Sequence, residues 1–286
     1  MILSNKLILG TVQFGLSYGI NNSTGKVSKA DVSTILAEAK ANGISMLDTS
    51  YAYGDSELVL GELLGNDNHF KIVSKLPRTT ENPKFIFEET TQRLKKSKLH
   101  GYLVHHFDYF KENRAIWTDI QSLQQEGLIE KAGFSLYHPS ELEYLFSQNI
   151  DFNIVQIPYN LLDRTFEPYL KALKHRHIEI HIRSVFLQGL FFKPVDELPE
   201  KLKPLKPYLL IMNEFCKEQN ISMEELALNG VIHHPAIDGV LVGVDNPVQL
   251  QKNIKSIWTG IPEKVSGFMD TLKVKEKELL DPVNWN

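Results

Sequence analysis

The feature that most constrains this chain is an unbroken alternation of short apolar runs with longer amphipathic ones. The apolar runs fall at residues 7–9, 45–47, 71–74, 102–104, 131–134, 153–157, 179–185 and 239–242. Each is short and bounded by turn or helix signals, which is the signature of a buried strand. Between them lie helical patterns. In residues 31–41 Val32, Ile35, Leu36 and Ala39 recur at helical spacing before a stop at Gly43. Further helices are predicted over 57–64, 85–94, 116–125 and 167–174, and onward from Pro139 and from Asn246-Pro247. Strand–helix units with apolar strands imply a parallel sheet covered by helices. Eight of them predict closure into a (β/α)8 TIM barrel, an α/β fold; a doubly wound sheet is the structural rival. A barrel of this kind takes roughly 250 residues, and the chain has 286. The one long interval, residues 190–238, holds Pro194, Pro199, Pro204 and Pro207 and room for two helices. With no linker or low-complexity segment, residues 1–286 read as a single domain.

Composition removes several function classes. A formal net charge of -4 offers no basic surface for a phosphate backbone, so no nucleic-acid partner is expected. No segment approaches the ~20 apolar residues of a membrane-spanning helix, and Lys6 interrupts the short apolar N-terminal stretch, which lacks an export signal. The lone cysteine, Cys216, cannot form an internal disulfide and follows the mostly apolar run 209–215, so it reads as a buried helix residue. These features place the protein in the cytoplasm, with a small molecule as partner, as a monomer or weak homo-oligomer.

Barrel enzymes carry their chemistry at the C-terminal ends of the strands. Here those ends are polar: Asp48, Lys75, His105-His106, Ser135, Gln156 with Asn160 beyond it, Arg183-Ser184, and Asp245-Asn246. Acid, lysine and histidine on consecutive strands would converge on one mouth. The stretch Asp48-Thr49-Ser50-Tyr51-Ala52-Tyr53-Gly54-Asp55-Ser56-Glu57, with Leu60-Gly61, closely resembles the aldo-keto reductase signature. Other landmarks of that family follow in order: Gly10-Thr11 with Phe14-Gly15, Val73-Ser74-Lys75, Tyr102-Leu103-Val104-His105, Ala132-Gly133-Phe134-Ser135, Val155-Gln156, and 243–253.

The resemblance implies reduction of an aldehyde or ketone by direct hydride transfer from a nicotinamide. Tyr53 is the implied general acid; Tyr51 competes for the role, but the family's tyrosine directly precedes the glycine. Lys75 would lower the phenol's pKa from ~10, Asp48 would pair with Lys75, and His105 would orient the substrate oxygen. Adjacent His105 and His106, if both lie in a strand, face opposite sides. Phe14, Tyr18 and His106 are the implied substrate contacts, and the mixed polar and aromatic loops, with Asn21 and Asn22, suit a hydroxylated or sugar carbonyl.

The cofactor implied is NADP(H), with NAD(H) possible. No Gly-x-Gly-x-x-Gly follows a strand, and residues 10–15 lack the Lys-Ser/Thr of a phosphate-binding P-loop. The resemblance instead implies cofactor contacts from Gly10 and Thr11, from Ser135 and Gln156, from Arg183, Ser184, Leu187 and Gly189, and from Gly243, Asp245, Gln249 and Asn253. Three positions depart from the family pattern. Leu136 stands where an asparagine often follows the serine, and Asn160 need not replace it. Arg183 stands where an aromatic usually stacks on the nicotinamide; a guanidinium also stacks on flat rings and would contact substrate or pyrophosphate. The adenosine-side segment has Asp245 and Gln249, with Lys252 left to reach a 2′-phosphate. Asp245 is either an acceptor for a ribose hydroxyl or the N-cap of the helix that follows.

Other histidines are read structurally. Glu179, His181 and Arg183 share one face of a strand, so a buried polar column is expected there rather than a metal site, with His175 and His177 outside it. His233-His234 marks a helix end, and residues 273–280 read as a solvated helix face. Two other classes compete with an enzyme of this kind. A non-catalytic, cofactor-binding regulatory subunit is disfavoured by the intact Asp48-Tyr53-Lys75-His105 set. An unrelated barrel lyase or isomerase would need a metal or Schiff-base centre, for which Lys75 is the one lysine that can be placed.

Overall fold

In the computed structural model, which describes residues 3–285, eight strands close into a parallel barrel in strict sequence order. They are β1 (Leu7–Gly10), β2 (Met46–Asp48), β3 (Lys71–Leu76), β4 (Leu99–Val104), β5 (Ile129–Ser135), β6 (Ile154–Pro158), β7 (Glu179–Arg183) and β8 (Gly239–Gly243). Closure is sealed by β8 pairing with β1, Val242 opposite Leu9 and Gly243 opposite Gly10. The doubly wound alternative is thereby excluded.

The helices pack their apolar stripes on the outside of the strands. In Ala115–Gln125 the stripe is Ile116, Trp117, Ile120 and Leu123, all buried. Several starts carry side-chain caps: Ser28 accepts from the Asp31 amide, Asn82 from Lys84, and Ser222 with Glu225 forms a capping box. The main core lies between strands and helices. A second small cluster, Val73, Leu103 and Ile154 with Met46 against it, fills the barrel interior.

Below that plug, at the N-terminal ends of the strands, the polar column is present. His181 Nε2 lies 2.7 Å from Glu179 Oε1, His100 Nε2 lies 3.0 Å from the same oxygen, and Lys131 Nζ is 2.8 Å from Glu179 Oε2. Burial alone would raise the Glu179 pKa, but its bonds from His100, His181 and Lys131 hold it well below the usual carboxylate range. The sequence reading did not include His100.

The interval 190–238 holds two helices, as expected, Lys206–Gln219 and Met223–Ile232. Cys216 is buried in the first, and His233 caps the end of the second. Residues 273–280 are not a helix face. Only a 3-10 turn, Lys277–Leu280, forms there. Val274, Leu279 and Leu280 are buried, because this run lies against the core.

Candidate active site

Asp48 ends β2 and Lys75 lies one residue before the end of β3. Both side chains are essentially inaccessible, 3% and 0% exposed, and Lys75 Nζ donates to Asp48 Oδ1 at 2.6 Å. The same ammonium donates to the Thr49 carbonyl at 2.8 Å and to Tyr53 Oη at 3.4 Å. Its three protons are thus all directed, the last toward the phenol. Asp48 Oδ2 accepts from Gln156 Nε2 at 2.7 Å, so β6 braces the carboxylate from the other side. Thr11 adds a third support by donating its hydroxyl to the Asp48 carbonyl at 2.9 Å.

Tyr53 is held by its backbone. Gly54 follows it with φ +58, and a Cβ there would sit 2.6 Å from the Gly15 carbonyl oxygen. A Cβ on Gly15 would sit 1.8 Å from the Tyr53 carbonyl oxygen. The β1 loop and the signature loop therefore pack backbone to backbone, which only glycine at both points allows. Tyr51 lies apart, its ring against the Arg93 guanidinium at 3.9 Å, while Tyr53 is the tyrosine that reaches Lys75.

The electrostatics differ from the sequence expectation in one respect. Burial raises the Tyr53 pKa, the Asp48 charge raises it further, and only Arg183 opposes them. In the protein alone the phenol is a weaker acid than in water, not a stronger one. Burial likewise lowers the Lys75 pKa, against the pull of Asp48. His105 is pushed well below its ordinary value by burial, then by Lys75, His106 and Arg183, and is a neutral imidazole. Its Nδ1 lies 3.1 Å from Ser50 Oγ, which fixes the ring edge-on to Tyr53 with centroids 5.7 Å apart.

His105 and His106 do not face opposite sides. β4 ends at Val104, and beyond it the two rings stack, with centroids 4.7 Å apart. His106 precedes a short helix, Phe107–Glu112, that was not anticipated.

A cavity of about 540 Å³ opens beside these residues, within the usual range for a small-molecule or cofactor site. Asp48, Tyr53 and His105 line one end. Gly10, Thr11, Ser135, Gln156, Arg183, Ser184, Gly189, Gly243, Asp245, Gln249 and Asn253 line the cavity as well, with Tyr18. Phe14, Leu187 and His106 do not line it. Phe14 and Leu187 are fully buried in the core, Leu187 because its backbone turns there with φ 46. Ser184, Leu187, Gln188 and Gly189 all have positive φ, a concentration of strain typical of functional loops.

The departures from the family pattern have structural answers. Arg183 stacks on Tyr137, Cζ 4.1 Å from the ring centroid, and donates to the Leu136 carbonyl at 3.1 Å. Tyr137, in the loop after β5 and two residues beyond Ser135, thus sets an aromatic ring against Arg183 in the cavity wall. Asn160 does not replace the missing asparagine; it donates to the Ser184 carbonyl and caps the turn at Leu162 and Asp163. Asp245 is not the cap of the helix Pro247–Lys255; Asn246 is, accepting from the Gln249 amide. Gln13 was also missed. It lines the cavity, and its Oε1 is buried without a partner.

The loop after β1 crosses the cavity. Asn21 Nδ2 donates to the Gly189 carbonyl at 2.6 Å, Gln188 Nε2 to Tyr18 Oη at 2.7 Å, and Asn22 Nδ2 to Asp245 Oδ1 at 3.1 Å. Burial raises the Tyr18 phenol to about 12.

Residues 6–272 match the family model described as "Aldo/keto reductase family". The uncharacterized oxidoreductase YqkF of Bacillus subtilis is 26% identical over 276 residues, spanning 87% of this chain and 89% of that protein. The pyridoxal 4-dehydrogenase of Microbacterium luteolum is 21% identical, spanning 93% and 92% of the two chains. Among solved structures, the holo form of aldo-keto reductase AKR11C1 from Bacillus halodurans superposes with a TM-score of 0.74 at 19% identity, covering 94% of this chain and 92% of that one. Among the described residues no helix is long and apolar enough to cross a membrane.

Proposed function

Since this chain belongs to the aldo/keto reductase family, and so is an oxidoreductase, we propose that it reduces an aldehyde or ketone to the alcohol with Tyr53 as proton donor. The observation that carries this reading is the chain of contacts from Asp48 through Lys75 to Tyr53 Oη at one end of the cavity, with His105 beside it.

The residues present fit a nicotinamide dinucleotide. One cavity is lined both by this group and by the polar residues Asp245, Gln249 and Asn253. The buried, partnerless Gln13 Oε1 on its wall is an acceptor in want of a ligand. Ser135 and Gln156 suit a carboxamide, and Gln156 keeps its carbonyl oxygen free because its amide is committed to Asp48. When bound, the reduced nicotinamide supplies the hydride; NADP(H) is the form the family resemblance implies.

The protein's own contribution is proton placement and charge. As negative charge grows on the substrate oxygen, the Tyr53 hydroxyl delivers a proton to it. Lys75, 3.4 Å away, stabilises the phenolate that remains. Neutral His105 can donate from Nε2, since Ser50 Oγ accepts from the Ala52 amide and can place its own proton on Nδ1. Such a donor orients the carbonyl without adding charge. Tyr18, which lines the cavity with its ring and hydroxyl, and the polar loop that carries it favour a small hydroxylated carbonyl.

The test is turnover of a panel of aldehydes, ketones and sugars, followed by loss of the reduced nicotinamide. Oxidation that depends on a hydroxylated carbonyl and vanishes in Tyr53→Phe is expected. A panel rejected throughout, or one in which apolar aldehydes outpace every polyol carbonyl, would contradict the reading.

A further inference from the structure

One wall of the cavity carries a net negative charge. Its ionic groups are Asp245, Glu224 and Lys252. Glu224 is buried, and Lys252 Nζ lies 2.5 Å from its Oε1. The lysine that could meet a phosphate, itself 59% exposed, is thus already paired with a largely buried carboxylate, which competes with a phosphate for its charge.

The helix Pro247–Lys255 also begins here, and a helix start ordinarily attracts phosphate. This one is partly occupied by its own side chains. Pro247 has no N–H to give. The Gln249 amide donates to Asn246 Oδ1 at 3.0 Å, and the Asp245 amide donates to Gln249 Oε1 at 2.8 Å. The Asp245 carboxylate is fixed in front of it, Oδ1 accepting from Asn22 at 3.1 Å and Oδ2 from Gln249 Nε2 at 3.3 Å. Asp245 lines the cavity, and each of its carboxylate oxygens can accept a further hydrogen bond. A fixed carboxylate with free acceptor capacity suits the hydroxyls of a ribose and repels a phosphate dianion.

We propose that this wall of the cavity selects NAD(H) over NADP(H). Asp245 accepts the ribose 2′-hydroxyl, and Glu224 withholds Lys252 from a 2′-phosphate. The proposal rests on the dinucleotide reading above and departs from the NADP(H) preference implied by family resemblance.

The experiment is titration of the intact protein with NADH and with NADPH, read by nicotinamide fluorescence, at low and raised ionic strength. NADH should bind about tenfold or more tightly, and added salt should narrow the gap by screening the repulsion felt by NADPH. Asp245→Ser should bring the two affinities within about threefold of each other. Glu224→Gln should tighten NADPH alone. Thermal melts of both variants check folding, and the wild-type ratio with its salt dependence stands without them. NADPH binding as tightly as NADH, or weakening more steeply with salt, would overturn the selectivity and leave the hydride-transfer reading standing. Binding of neither would overturn both.

Discussion

Tyr53 and Lys75 show how an acid is prepared for work near neutrality. Burial and Asp48 hold the phenol protonated, so the proton donor for reduction is present across the neutral range. Carbonyl reduction is accordingly predicted to stay flat from mildly acidic to mildly alkaline pH, while alcohol oxidation, which needs the phenolate, climbs with pH. A reduction rate that falls through neutrality would assign the proton to another group. Since His105 is kept neutral, no histidine ionisation should appear in either profile. Lys75→Met should cost about 10²–10⁴-fold in turnover, because the phenolate then forms beside Asp48 with no cation to offset it; steady-state kinetics on the folded variant checks this. At this scale the sequence was informative where chemistry dictates residue type. Asp48, Tyr53, Lys75 and His105 were all legible. Tyr137 and Gln13 were not, since an aromatic two residues past a strand and a glutamine in a loop carry no pattern of their own.

Elements were legible where burial sets a period. All eight strands announced themselves as apolar runs, and most helices as stripes. The failures have physical causes. β7 was expected to reach Val185 but stops at Arg183, because Ser184 takes a positive φ, which no composition signal reports. Residues 273–280 look like a charged helix, yet Val274, Leu279 and Leu280 turn to the core, a tertiary choice that local charge cannot reveal. The placement of Tyr53 depends on two loops meeting at glycines. Gly15→Ala is predicted to push the signature loop away, with turnover reduced at least about 100-fold by the loss of positioning and a stability cost of about 1–3 kcal/mol from overpacking. Unchanged kinetics in that variant would mean that the close approach of the two loops is irrelevant to catalysis.

The whole barrel is polar at both ends and apolar between. Val73, Leu103 and Ile154 separate the site from the Glu179 cluster beneath. That cluster should govern acid stability. Glu179 is depressed in the folded state, so its contribution is complete above the unfolded value of ~4.3 and disappears as pH falls from there toward the folded value. Glu179→Gln should lower stability at neutral pH by about 1–3 kcal/mol and flatten its dependence below pH ~4.3, as denaturant unfolding at several pH values would show. Wild type and variant losing stability in parallel on acidification would remove Glu179 from that role.

The central claim is that a hydride moves from the cofactor to carbon while Tyr53 supplies the proton to oxygen. Single-turnover reaction with a nicotinamide deuterated at its transferring carbon tests it most directly. The account predicts deuterium on the product carbinol carbon in the wild type, and a rate about 10²-fold or more lower in Tyr53→Phe with dinucleotide affinity preserved. Product free of deuterium, or a Tyr53→Phe enzyme that turns over at the wild-type rate, would contradict it.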